Sequence, residues 1–279
     1  MRQHPIRPMT RLAASVILLM LAAVPLRANG DAGIDRLYQA LELPELIELM
    51  GEEGISQSDA LAYDYLPFPP GEGWARMMQR IYDTPKMEAA MLRAFRADLD
   101  GADTGPLVDF FTSDLGVRIV DLELEARRAF LDPAAEEAAH EELTDPDTDK
   151  GRLALIDRYI EVNDLVEFNV MGALNSNYHF YRGLTETGTF EMTQEEMLAE
   201  VWSQEEQTRA NTLDWLRAFL LVAYDGLTDD ELRAYVDLSE TEEGQRLNRA
   251  LFKGFELMYD DVYRALGLAV AYQMSAEDL

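Results

Sequence analysis

A chain of 279 residues with 53 acidic against 24 basic side chains carries a formal charge of −29, and it has no cysteine. Such a surface repels nucleic acid and anionic lipid. Without thiols there is no disulfide, so stability has to come from core burial. Self-repulsion among the carboxylates predicts a melting temperature that rises with ionic strength; a melting curve indifferent to salt would count against this.

In chain order, Arg2, Arg7 and Arg11 precede an apolar run from Leu12 to Leu26, broken at Pro25 and closed by Leu26-Arg27-Ala28. That is the three-part layout of a secretory signal peptide. The run is shorter than the ~20 residues that span a bilayer, so cleavage after Ala28 is expected, with no stable membrane anchor left behind. With no cysteine after the run, a lipid anchor is excluded. Residues 1–28 therefore read as a signal peptide and the protein as exported, into the periplasm. Cleavage removes four arginines and no acid, leaving the chain still more negative.

Beyond residue 33 apolar residues recur at helical spacing and strand-like alternation is nearly absent, which predicts an all-α fold. Leu213, Leu216, Phe219, Leu220 and Ala223 form one such stripe. Thr193-Gln-Glu-Glu196 and Thr228-Asp-Asp-Glu231 are capping-box patterns, and Pro44, Pro85 and Pro133 stand where first-turn prolines belong. Leu61 to Gly71 reads as an aromatic, proline-rich loop before Trp74 that covers the first unit's core, the alternative being that it presents aromatics to a partner protein. Met77, Met78, Met87 and Met91 read as core filling.

Internal matches recur in a constant order. Ile34-Asp-Arg36 returns as Ile156-Asp-Arg158, Met50-Gly51 as Met171-Gly172, Leu92-Arg-Ala-Phe95 as Leu216-Arg-Ala-Phe219, and Asp100-Gly101 as Asp225-Gly226. Last, Ser113-Asp-Leu-Gly116-Val-Arg118-Ile119 matches Thr241-Glu-Glu-Gly244-Gln-Arg246-Leu247. The expected architecture is two tandem related helical bundles, residues 33–132 and 152–279, packed about a pseudo-two-fold axis and joined by an acidic linker at 133–151. In the last pair the hydroxyl can N-cap the second helix of a corner. The glycine leaves room for a close crossing, and Arg118 or Arg246 can lie along apolar surface or meet an acid.

A helix, then Ser/Thr-x-x-Gly-x-Arg, then a long amphipathic helix resembles the bacterial family catalogued as domain of unknown function 2059. Leu227-Thr-Asp-Asp-Glu-Leu232, Thr241-Glu-Glu-Gly244 and Arg246 carry the resemblance, which covers mainly residues 190–266 and more weakly 85–131. The aromatic pair expected before the cap is Leu238-Ser239 in the second copy; the first keeps Phe110-Phe111 but lacks the capping box. The resemblance implies an exported helical protein without an assigned reaction, so it supplies no catalytic residue.

Two stretches are candidate sites. Asp145, Asp147 and Asp149 resemble the opening of a calcium loop, but the glycine comes one place late, at Gly151, and Ile156 takes the place of the bidentate glutamate. At most a weak calcium site is expected there, in a solvated, turn-forming linker. Asn175, Tyr178, His179 and Tyr181 could line a small-molecule cleft. The preferred reading is a helix with its aromatics in the core and its amides outward. His140 and His179 lie too far apart in sequence to make a zinc site without carboxylate help. No nucleophile elbow, phosphate loop or zinc-protease helix occurs. Accordingly no catalytic residue or cofactor is expected. The expected function is a non-catalytic protein-interaction or scaffolding module of the cell envelope, its partner an envelope protein or a second copy. The alternative is a small-ligand carrier using a groove between the units, and an enzyme ranks third.

Overall fold

Helix starts fall where the capping chemistry puts them. Thr193 and Thr228 each accept from the amide three residues on, while the carboxylates of Glu196 and Glu231 return to the threonine amides, closing both capping boxes. Pro44, Pro85 and Pro133 occupy first turns, where the missing N–H has no helical partner to lose. Thr228→Ala is expected to lower the unfolding free energy by about 1 kcal/mol in urea titration. An unchanged midpoint would show the cap to be idle.

The computed structural model describes residues 30–66, 69–188 and 190–275; the expected signal peptide, 1–28, lies outside them. Among the described residues the chain forms helices and no strand. They are α1 (Gly30–Ala40), α2 (Leu43–Tyr65), α3 (Glu72–Ile81), α4 (Thr84–Leu99), α5 (Gly105–Phe111), α6 (Asp114–Ala129) and α7 (Pro133–Thr144). Then come α8 (Lys150–Val162), α9 (Leu165–Thr185), α10 (Gln194–Ser203), α11 (Glu205–Ala223), α12 (Asp229–Ser239) and α13 (Glu242–Ser275).

Features of α1–α6 recur in α8–α13. Glu42 opens α2 with φ 47° and ψ 34°, and Asp164 opens α9 with φ 49° and ψ 33°. Among the described residues these are the non-glycine positions with positive φ, a conformation costly enough that its recurrence needs a cause. Asp35 of the Ile34-Asp-Arg36 match binds Arg96 at 2.8 Å, tying α1 to α4. Asp157 of the Ile156-Asp-Arg158 match binds Arg217 at 2.7 Å, tying α8 to α11. Arg217 thus holds in its ion pair the place that Arg96 holds in the other. The Leu-Arg-Ala-Phe match had set it against Arg93, almost one helical turn out of register. At the corners, Ser113 and Thr241 accept from the amides of Gly116 and Gly244 at 3.2 and 3.0 Å. A Cβ on Gly116 would lie 2.0 Å from the Phe110 carbonyl oxygen, which is why that corner holds glycine.

The halves interlock. The last helix of each crosses to the fourth helix of the other, α13 onto α4 and α6 onto α11. The two corner arginines cross with them. Arg118 on α6 binds Glu231 on α12, and Arg246 on α13 donates to the carbonyls of Asp98 and Asp100 at 2.9 and 2.8 Å. The Glu231 carboxyl is pulled down to about 2, first by the Thr228 amide and next by Arg118. One hydrophobic core runs through both halves.

Two expectations need correction. Much of the linker at 133–151 is a helix: α7 packs on α11 and buries Ala139, leaving only the turn at 145–149. Leu61 to Tyr65 are the last residues of α2 rather than a loop. Tyr65 lies 5.2 Å from the Phe180 ring of α9, and Trp74 is 2% exposed, so this region does close over the core. Pro67 and Phe68 lie outside the described residues.

Helices α9 and α13 run parallel and touch where both carry glycine. A Cβ on Gly183 would lie 2.0 Å from the Arg264 carbonyl oxygen, and one on Gly267 2.0 Å from that of Phe180. Such contact requires the absence of side chains. On the N-terminal side of this crossing bulky residues hold the helices apart, beginning with the Phe168–Phe252 stack at 4.5 Å between ring centroids. The space that opens between them is the site described next.

Candidate functional site

The groove between α9 and α13 has a volume of about 440 Å³. Its walls are apolar and aromatic, with Phe168, Met171, Phe252, Phe255, Tyr259 and Tyr263; Asp98 reaches it from the end of α4. Asn175 and Asp260 supply polar groups inside it. Asn175 and His179 stand one turn apart on α9 and therefore share a face. The Asn175 amide donates to Asp260 Oδ1 at 2.8 Å, and His179 Nε2 stands 3.5 Å from the same oxygen. Burial raises the Asp260 carboxyl above its ordinary value; His179 pulls it back, while Glu256 and Asp261 push it further up. His179 Nδ1 is buried without a hydrogen-bond partner among the described residues. Lys253 on the rim is paired with Glu256 at 2.5 Å. Arg249, also on the rim, is exposed.

Of the four residues expected at a cleft, Asn175 lines the groove and His179 meets Asp260 behind it. Tyr178 is half-buried with the Arg182 guanidinium 6.0 Å from its ring centre. Tyr181 is 0% exposed beside Phe180, so it belongs to the core and cannot line a cleft. Nor is this a groove between two units. Both walls come from the second half, and Asp98 is what the first half adds. The anchor that sequence reasoning missed is Asp260, one acid among many and 85 residues from Asn175.

A second buried carboxyl joins the two halves. Glu123 on α6 is 6% exposed and accepts from Tyr224 at 2.6 Å and Tyr235 at 3.2 Å. Tyr159 donates in turn to Tyr235 at 3.1 Å. Burial pushes the Glu123 carboxyl up to about 8, although both tyrosine hydrogen bonds oppose the shift. The spacing of Ile119, Glu123 and Arg127 along the buried stripe of α6 was the one trace of this in the sequence.

The aspartates of the expected calcium loop make local contacts. Asp149 Oδ1 accepts from the amides of Gly151 and Arg152, capping α8, and Asp145 Oδ1 accepts from the Asp147 amide at 2.8 Å. All three aspartates are exposed; two hold turns and a helix start rather than converging on one point. Among the described residues no group of three or more His, Cys, Asp or Glu could hold a metal ion. No described helix is long and apolar enough to cross a membrane. His140 stands 3.9 Å from Glu136, far from the groove in sequence.

What the fold and groove define, among the described residues, is an all-helical protein with a mixed aromatic and polar cleft. Residues 85–143 match the model of a family described as "Uncharacterized protein conserved in bacteria (DUF2059)". The matched segment is α4 to α7, in the first half, rather than residues 190–266, on which the resemblance was read most strongly. No curated protein and no solved structure matches the chain.

Proposed function

We propose that this is an exported periplasmic protein that carries a small ligand in the α9–α13 groove, and that its halves arose by duplication of one six-helix unit. The observation that carries the first part is the convergence of Asn175 and His179 on Asp260 beside an aromatic-walled space of about 440 Å³. Small-molecule sites are concave, mostly apolar and equipped with a few convergent polar groups. On this reading the carrier stands ahead of the interaction module that the sequence put first. Export is supported by the charge and hydropathy pattern of residues 1–28. Duplication is supported by the matched ion pairs and the two left-handed helix starts.

One observation favours the interaction reading. On α10, Met197 and Val201 face inward, while Leu198 and Trp202, one turn apart, are 39% and 55% exposed. Contiguous exposed apolar surface is what a partner would cover, and a tryptophan is the side chain most often at its centre. Native mass spectra of protein taken from its own envelope extract separate the two. A retained small molecule is the expected result. A dimer or a co-purifying protein without bound ligand would overturn the carrier reading, and a bare monomer would count against it.

A further inference from the structure

We infer that the ligand of the α9–α13 groove is an organic cation, a protonated or quaternary amine on an apolar body. This inference rests on the carrier reading above. The polar group recessed among the aromatic walls is a carboxylate, that of Asp260, fixed in place by the Asn175 amide at 2.8 Å. Tyr259 and Tyr263 line the groove beside it, and the negative faces of such rings attract cations.

The charges around Asp260 agree. From its own helix α13 the neighbours are Glu256, Asp261 and Lys253, and from α9 the facing group is His179. Lys253 is neutralised by Glu256 at 2.5 Å. Arg249 stands three turns earlier on α13, about 16 Å away along the helix. Asp98 is the contribution from α4. An anion entering here would meet an acidic surround, and a neutral guest would desolvate Asp260 further without supplying a counter-charge. At long range the −29 charge of the chain raises the local concentration of cations at its surface.

Three probes of one shape and different charge test the inference: phenethylamine, phenethyl alcohol and phenylacetate, titrated calorimetrically into the whole exported protein at neutral pH. The amine is expected to bind about tenfold tighter than the alcohol, and phenylacetate more weakly than either. Asp260→Asn should abolish the preference for the amine, so that amine and alcohol bind alike. Gly172→Phe should block all three, since a Cβ at Gly172 meets nothing within 4 Å and a ring there fills the groove without disturbing the core. If the alcohol or phenylacetate binds as tightly as the amine, or the preference survives in Asp260→Asn, the cation inference fails while the groove stays a binding site. If no probe binds, or Gly172→Phe changes nothing, the groove reading fails with it.

Discussion

Glu123→Gln is expected to leave stability unchanged near pH 4 and to raise it by about 3–5 kcal/mol at pH 8. The glutamate is buried between α6 of the first half and α8, α11 and α12 of the second, and its Oε2 has no hydrogen-bond partner among the described residues. Its folded value lies near 8 against an ordinary 4.5. Below the ordinary value both states hold the proton, and there is no cost. As pH rises between the two values, the unfolded chain ionises while the folded one stays protonated. Stability is then lost at about 1.4 kcal/mol per pH unit. Above the folded value both states are ionised and the loss stops growing. Glutamine keeps the acceptor for Tyr224 and Tyr235 and cannot ionise. The next charged group on the buried face of α6 is Arg127, one turn on and held by Glu53 at 2.5 Å. Because the other carboxylates titrate in both proteins, the quantity to measure is the difference between urea midpoints of variant and wild type across pH 4 to 9. Parallel profiles would show that Glu123 is not held protonated.

The second large effect is expected at the helix crossing. Alanine in place of an exposed helical glycine stabilises by about 1 kcal/mol. At Gly267 the sign should reverse, because the added Cβ would stand 2.0 Å from the Phe180 carbonyl oxygen and 2.8 Å from the Leu184 amide nitrogen. Backbone atoms cannot rotate away, so α9 and α13 must separate along their whole contact. Gly267→Ala is expected to cost about 2–4 kcal/mol. Gly172→Ala on α9, with open space around its Cβ, serves as the control and should gain up to about 1 kcal/mol. Equal stability of both variants would mean that the crossing is looser than described.

What was legible in the sequence was local. The capping boxes at Thr193 and Thr228, the prolines in first turns and the glycine corner at Gly116 depend on residues a few places apart, and each formed as expected. The match between Leu92-Arg-Ala-Phe95 and Leu216-Arg-Ala-Phe219 sets Arg217 against Arg93, whereas the ion pairs with Asp35 and Asp157 set it against Arg96; a three-residue slip in a helix nearly preserves the face. Residues 133–144 looked like linker because they are acidic and alanine-rich, yet α7 needs to bury little more than Ala139 to dock on α11. The site was half legible. Asn175 and His179 stood out as polar residues one turn apart among aromatics. Their shared partner Asp260 comes from α13, packed along α9 within the second half, and Glu123 reaches its tyrosines only because α6 crosses to that half. No short-range pattern records such contacts.

The most direct test of the groove as a ligand site is to purify wild type and Gly172→Phe in parallel from the same envelope extract, denature both and compare the small molecules released. Near-stoichiometric release of at least one species from wild type, absent from the variant, is the predicted result. Identical profiles from the two proteins would mean that the α9–α13 groove holds nothing.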